Sequence, residues 1–239
     1  MSQNLNVPTC SGGFNLCRPN ATYGNNSQYK SIGDSYYDGL TVAWVQRPAS
    51  WGSYRISYTF SKAIDDLGQF FFSSPQNNFN IAADRSRSDN DQQHRLTASG
   101  TLSTPTARAN SFWTHVRNGF LLSSILSYSS PLPFNVQTGS DNNGDTNTND
   151  RPAGLGRNTG LGFDSFTLDV RLSRSFRLTE RVRLEGLAEA FNILNRTNRE
   201  LPNNIFGNGR YPGAPAPGFG VPTAVGDPRE LQLALRIRF

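Results

Sequence analysis

A chain of 239 residues has room for one large domain or two small ones, but 36% hydrophobic content and a mean hydropathy of −0.53 are low for an ordinary core. No run approaches the roughly 20 apolar residues of a membrane helix, which excludes a helical membrane protein; a barrel survives, because alternate strand residues cancel in any hydropathy average. The +5 charge is almost all arginine, Lys30 and Lys62 being the lysines, and the arginines alternate along strands with no stripe of stacking aromatics, which argues against nucleic acid.

In chain order, residues 1–22 read as an irregular N-terminal segment. Cys10 and Cys17 are the cysteines. They form either a small loop disulfide in an oxidising compartment or a pair of free thiols, and two cysteines cannot build a structural zinc site. The opening Met-Ser-Gln-Asn-Leu-Asn-Val-Pro has neither the charged nor the apolar region of a signal peptide. A barrel could not be exported from this start, so the chain is expected to be mis-started or a fragment.

Residues 23–239 read as the barrel segment, with seven strands by alternation. Leu40, Val42 and Trp44 share one face of the first. Tyr54, Ile56, Tyr58 and Phe60 share a face of the second, opposite Ser53, Arg55, Ser57, Thr59 and Ser61. In the third, Leu96, Ala98, Gly100 and Leu102 oppose Arg95, Thr97, Ser99 and Thr101. The fourth places Phe120, Leu122, Leu126 and Tyr128 together, and the fifth sets Phe166, Leu168, Val170 and Leu172 against Thr167, Asp169, Arg171 and Ser173. The sixth, residues 181–195, is interrupted by Leu187 and Phe191. The seventh sets Leu231, Leu233, Leu235, Ile237 and Phe239 against Gln232, Ala234, Arg236 and Arg238. An eighth strand is expected around residues 23–32. Such lengths exceed the roughly 5–6 residues of a globular strand and match the roughly 9–11 of a membrane-spanning one.

Connection lengths alternate. Short links at 48–51 and 178–181 and a moderate one at 104–118 interleave with long ones at 63–93, 137–164 and 196–228. All the long loops then emerge on one side, as in outer-membrane barrels with short periplasmic turns and long extracellular loops. The fold class is therefore all-β, an antiparallel transmembrane β-barrel segment of seven or eight strands. Trp44, Trp51, Tyr54 and Trp113 toward the short turns, with Phe60 and Tyr128 toward the long loops, fit interfacial girdles or ordinary cross-strand packing.

Three residue sets could carry chemistry. Asp141, Asn143, Asp145, Asn147 and Asp150 have the alternate oxygen spacing of a calcium loop, although Thr146 replaces its turn glycine and Pro152 its closing Glu. The competing reading is a turn-rich loop whose side chains bond their own backbone. Asp169, Arg171, Arg183, Glu185, Glu189, Arg236 and Arg238 fall on lumen faces, either to meet a plug or solute or to pair across the interior. No catalytic set emerges: His94, near Asp89 and Asp91, and His115 lack a nucleophile at suggestive spacing, and no nucleophile elbow, phosphate loop or zinc-protease helix is present. The chain is not expected to be an enzyme.

Five runs carry a resemblance: residues 57–66 (SYTFSKAIDD), residues 89–96 (DNDQQHRL), residues 138–152 around TGSDNNGD and NDRP, residues 189–198 (EAFNILNRTN), and the terminal Phe239. Together, from about Arg18 onward, they resemble the C-terminal barrel of TonB-dependent receptors, in particular the Oar-like group common in acidobacteria. The resemblance implies a barrel of about 22 strands filled by an N-terminal plug, and outer-membrane uptake of a bulky solute, a glycan or a metal chelate. It also implies that Leu231, Leu233, Leu235, Ile237 and Phe239 form the signal read by the barrel-assembly machinery. Outer-membrane lipid is a further partner, and TonB would act only through an N-terminal part not in this sequence. The alternative is a self-contained small barrel acting as an adhesin or structural protein. Many Ser, Thr and Gly at lumen positions suit a wide barrel better.

Overall fold

The computed structural model describes residues 2–10, 17–67, 74–104, 118–179 and 181–239. Its strands are β1 (Ser2–Asn4), β2 (Ser27–Tyr29), β3 (Ser35–Ala49), β4 (Gly52–Asp65), β5 (Ser86–Arg87), β6 (His94–Ser103), β7 (Phe120–Ser129), β8 (Pro133–Phe134), β9 (Gly160–Leu161), β10 (Ser165–Arg177), β11 (Arg183–Phe191) and β12 (Glu230–Arg238). Seven long strands pair antiparallel in the order β12-β11-β10-β7-β6-β4-β3, with β5 pairing onto β4. Each lies beside its neighbour in sequence, a meander that needs no crossover.

Alternation in the sequence becomes two chemically distinct faces. Trp44, Ile56, Ala98, Leu126 and Leu168 stand in register across five strands. One residue along, Ala43, Ser57, Thr97, Ser127 and Thr167 stand in register on the opposite face. One row suits hydrocarbon and the next a wet lumen, as the pleat requires. At the β12 edge the apolar face is bare: Leu231, Leu233 and Leu235 are 75%, 83% and 78% exposed. Hydroxyls bridge strands on the polar face, with Thr41 Oγ1 and Thr59 Oγ1 2.9 Å apart and Ser53 Oγ and Thr101 Oγ1 3.1 Å apart. Among the described residues no helix is long and apolar enough to cross a membrane.

The short connections are tight. Ser50 and Trp51 alone separate β3 from β4, after a register shift between Gln46 and Ala49. Gly52 makes this corner possible: its φ is +147° and a Cβ there would lie 2.0 Å from the Thr101 carbonyl oxygen. Between β10 and β11, the Leu178 amide donates to the Val182 carbonyl at 3.0 Å. The 66–93, 130–164 and 192–229 connections all leave the opposite end of the sheet, where the small β1–β2 and β8–β9 ladders also lie. The link expected at 104–118, with Trp113 and His115, lies mostly outside the described residues.

Two strand expectations are corrected. The eighth strand around residues 23–32 shrinks to Ser27–Tyr29 and pairs with Ser2–Asn4, outside the main sheet. Its sequence, Gly-Asn-Asn-Ser-Gln-Tyr, has no apolar alternation to hold it against lipid. Thus residues 2–10 are tied by a ladder and by the Asn6 side chain, which donates to the Asn20, Tyr23 and Gly24 carbonyls. The sixth strand stops at Phe191 rather than 195, because Asn192 turns to φ +44° and Asn195 to φ +50°. The Asp169 carboxylate takes the freed Asn192 amide at 2.8 Å. Leu187, the residue that broke the pattern, points to the polar face and is buried there opposite Ser173 and Ala234.

Candidate functional site

The best-buried part of the protein is the long-loop layer, not the sheet. Phe206 is 1% exposed, its ring 5.1 Å from that of Tyr211 and 5.2 Å from that of Phe219, and Val136 is buried in the same layer. The 130–164 and 192–229 loops are stitched by the Gln137–Ile205 bridge. Around this apolar nucleus the layer is held by buried charge.

Arg157 is the central fastener. Its side chain is 6% exposed. One Nη2 pairs with the Asp65 carboxylate at the top of β4 and also donates to the Asp65 and Arg87 carbonyls at 3.2 and 3.3 Å. Its Nε donates to the Asp84 carbonyl at 3.1 Å and to Ser86 Oγ at 3.3 Å. Arg151 reaches the same loop, its Nη2 donating to Asp84 Oδ1 at 2.5 Å, while Asp84 Oδ2 accepts the Gln76 amide at 2.8 Å. Asp91 takes the Ala63 amide at 2.7 Å and Arg87 Nε at 2.8 Å. Such charges are tolerable under burial because each carboxylate is paired with an arginine, and those of Asp84 and Asp91 also accept a main-chain amide.

Between these groups lies a cavity of about 420 Å³, lined among others by Asp84, Asp89, Asn135, Gln137, Asn149 and Arg157. Among the described residues, three of its lining side chains carry a buried polar atom with no hydrogen-bond partner: Asn135 Oδ1, Asn149 Oδ1 and Arg157 Nη1, the last 3.9 Å from Asp89 Oδ1. The cavity thus mixes carboxylates, carboxamides and guanidinium, a set that matches hydroxyl and charged groups better than apolar ones. Neither Arg157 nor Asp84 stood out in the sequence. The available signal was the density of alternating charge in residues 84–91, Asp-Arg-Ser-Arg-Ser-Asp-Asn-Asp, in a connection too long for a solvated turn.

The candidate calcium loop makes many hydrogen bonds of its own. Asp141 Oδ1 accepts the Gly144 and Asp145 amides at 2.7 and 3.1 Å, and its Oδ2 accepts that of Thr146 at 2.8 Å. Asp150 Oδ2 accepts the Asn142 and Asn143 amides at 2.6 and 3.0 Å. Asn143 Oδ1 accepts the Asp145 amide at 2.9 Å. Asp145 accepts the Asn147 amide at 2.9 Å and the Asn78 side-chain amide at 3.2 Å. Most of these oxygens accept main-chain and side-chain N–H groups, the turn chemistry of Asx residues, while Asp150 Oδ1 is buried with no hydrogen-bond partner among the described residues. Among the described residues no three or more His, Cys, Asp or Glu are disposed to hold a metal.

Burial pushes the Asp145 carboxyl above its ordinary range. The Asn147 amide opposes this, and the nearby Asp141 and Asp150 charges add to it. A carboxyl raised on folding adds stability below its unfolded pKa and loses that contribution as pH rises through its folded pKa. Relative to Asp145→Asn, the native chain should therefore be at its best near pH 4 and lose ground toward neutrality. Melting both proteins at pH 4 and pH 7 checks this: the difference in Tm between native and variant should fall as pH rises.

The lumen charges sort into pairs and rows. Arg171 Nε lies 3.1 Å from Glu189 Oε1, and Glu185 Oε2 lies 3.6 Å from Arg236 Nη1 and 3.1 Å from Arg238 Nη2. Asp169 instead caps the turn after β11, and Arg183 stands in register between Arg177 and Arg238 near the short-turn end. His94 Nδ1 is 2.8 Å from the Tyr58 hydroxyl, and Asp91 is engaged with Ala63 and Arg87, so the two do not form an acid–base pair. Cys10 and Cys17 are joined as a disulfide.

A polar-and-apolar two-faced meander, long-stranded and with all long loops at one end, has its counterpart in known sequences. The outer membrane beta barrel domain family matches residues 1–160 and 153–232. The chain belongs to that family. It is an outer-membrane protein. The fold is similar to that in the crystal structure of the outer membrane transporter YddB from Escherichia coli, with a TM-score of 0.52 and 11% sequence identity. The likeness covers 99% of this chain and 28% of that one. No curated protein matches the sequence.

Proposed function

We propose that this barrel segment belongs to a TonB-dependent receptor of the Oar-like group and serves uptake of a bulky solute, a glycan or a metal chelate. The observation that carries this reading is the open sheet. Strands β3 and β12 both end it, and they do not pair with each other. A small barrel, the adhesin or structural reading, would require those edges to meet and the lumen to be filled by side chains. The row from Ala43 through Ser57 to Thr167 is instead small and polar, as suits a wide lumen. A fold likeness spanning 28% of a transporter agrees with a fraction of a large barrel.

In this reading the loop cavity at Asp84, Asn135, Asn149 and Arg157 contributes to solute capture on the outer side, and no residue performs covalent chemistry. The chain is not an enzyme. Residues Leu231, Leu233, Leu235, Ile237 and Phe239 present the strand taken up by the barrel-assembly machinery. TonB acts through a plug supplied by residues beyond this sequence. The test is uptake of fluorescent oligosaccharides and ferric chelates by cells with and without the intact gene. Loss of accumulation on gene deletion, and equally on treatment with a proton uncoupler, is expected. If no member of either solute class loses accumulation on deletion and cell adhesion falls instead, the receptor reading is wrong.

A further inference from the structure

The unpartnered atoms of the loop cavity restrict what can fill it. Asn149 Nδ2 donates to the Ser74 and Pro75 carbonyls at 3.0 and 3.4 Å. That fixes the carboxamide and leaves its Oδ1 as a buried acceptor with no donor among the described residues. Asn135, just after β8, adds a second such oxygen. Arg157 Nη1 is the converse, a buried donor with no acceptor among them. It stops 3.9 Å from Asp89 Oδ1, too far for a hydrogen bond but a span that one oxygen atom can bridge. Each of these atoms costs stability while it lacks a partner.

Charge and size restrict the guest further. In the lining, Asp84 and Asp89 are matched by Arg151 and Arg157, so the formal charges cancel and a net charge on the guest gains little. Among the described lining residues none is aromatic, and Leu67 is the one large apolar side chain. The volume of about 420 Å³ lies toward the small end of ligand pockets, which run roughly 300–1,000 Å³. It suits one end of a chain molecule rather than the whole of it.

We propose that this cavity binds the end of a neutral oligosaccharide, which makes the solute of the uptake reading a glycan rather than a metal chelate. Sugar hydroxyls donate to Asn135 Oδ1 and Asn149 Oδ1, and a further one accepts from Arg157 Nη1 while donating to Asp89 Oδ1. A hydroxyl is the group that both donates and accepts, and a sugar ring carries several side by side. The metal-binding oxygens of a ferric chelate have no proton left to give, so they cannot satisfy two carboxamide oxygens that need donors. The inference rests on the uptake reading for its role, but the binding is measured apart from it.

The test is isothermal titration calorimetry of the full protein in detergent with maltotriose, cellotriose and xylotriose, and with ferrichrome and ferric citrate. At least one trisaccharide should bind the native protein. Asn135→Leu should weaken that binding about tenfold, the scale of one lost hydrogen bond. The Asn135 main-chain carbonyl, which accepts from Asn204 Nδ2 at 2.9 Å, survives the change. Asn208→Ala, which alters an exposed carboxamide of the same layer outside the cavity, should leave the affinity unchanged. Heat-modifiable migration on gels verifies that each variant is folded. A ferric chelate that binds and is weakened by Asn135→Leu, with no trisaccharide bound, would overturn the glycan assignment and leave uptake standing. Trisaccharide binding that ignores Asn135→Leu, or falls equally in Asn208→Ala, would overturn the site. So would binding of none of the probes, and deletion-sensitive accumulation in cells would then show that the uptake reading itself had survived.

Discussion

Arg157→Met should detach the loop layer from the sheet, with a local loss of about 3–5 kcal/mol, the usual cost of leaving one partner of a buried ion pair behind. The side chains of Arg157 and Asp65 are 6% and 12% exposed, so solvent does little to screen the charge that remains. The variant also strips donors from the Asp65, Asp84 and Arg87 carbonyls and from Ser86. Methionine keeps the stem's packing, so the loss reports the guanidinium rather than volume. Hydrogen exchange over residues 130–164 should accelerate about 10²–10³-fold, with the strand amides of β6 and β7 unaffected. The double variant Arg157→Met with Asp65→Asn should recover part of the loss, because no unpaired charge is left. Unchanged exchange in the single variant would mean that the pair does not hold the loops.

Leu168→Arg and Thr167→Arg, adjacent substitutions on β10, should behave oppositely. Leu168 lies on the apolar row opposite Leu126, three residues inside the long-loop end of β10, and Thr167 lies on the opposite row facing Ser127. An arginine on the lipid face costs about 2–4 kcal/mol at mid-membrane and about 0–1 kcal/mol at an interface, so Leu168→Arg should cost about 1–3 kcal/mol. On the lumen face it meets water and small hydroxyl side chains, and the cost should stay within about 0.5 kcal/mol. Folding titrations into phosphatidylcholine vesicles, with urea as denaturant, give both numbers. Equal penalties would mean that the two faces do not see different media.

The seven long strands were legible because lipid and water impose a period of two that survives in the residues themselves. Leu231 to Phe239 shows it in nine residues, and the register of β11 with β12 follows the same parity. The places where the pattern failed have local causes. Residues 23–32 carried a strand's length without its alternation, and Asn192 and Asn195 ended β11 early by taking left-handed φ values. Leu187 reads as an error only if every lumen residue must be polar, whereas it is buried between Ser173 and Ala234.

The loop layer was far less legible. Its defining pairs join residues 67 apart for Arg151 and Asp84 and 92 apart for Arg157 and Asp65, and no periodicity links such positions. The Asp/Asn run at 141–150 was conspicuous for its spacing, yet side chains that can ligate a cation can equally accept their own backbone amides. In this loop such amides donate to Asp141 and Asp150. The lumen charges were legible as a face but not as partners: Asp169, grouped with the ion-pair ladder, closes a turn instead.

The account turns on whether β3 and β12 are edges within a wider wall. Cysteines placed in pairs across them, Thr41→Cys or Ala43→Cys with Gln232→Cys or Ala234→Cys, test this in the full protein in outer membranes under mild oxidation. Strand neighbours bring Cα atoms within about 4.5–5.5 Å, well inside disulfide reach. The wide-barrel account predicts no intrachain disulfide from any pair, while a control pair on the neighbouring strands β11 and β12, Leu187→Cys with Ala234→Cys, which stand in register, should form one. Rapid intrachain bonding between β3 and β12 would mean that the seven strands close on themselves, and would contradict it.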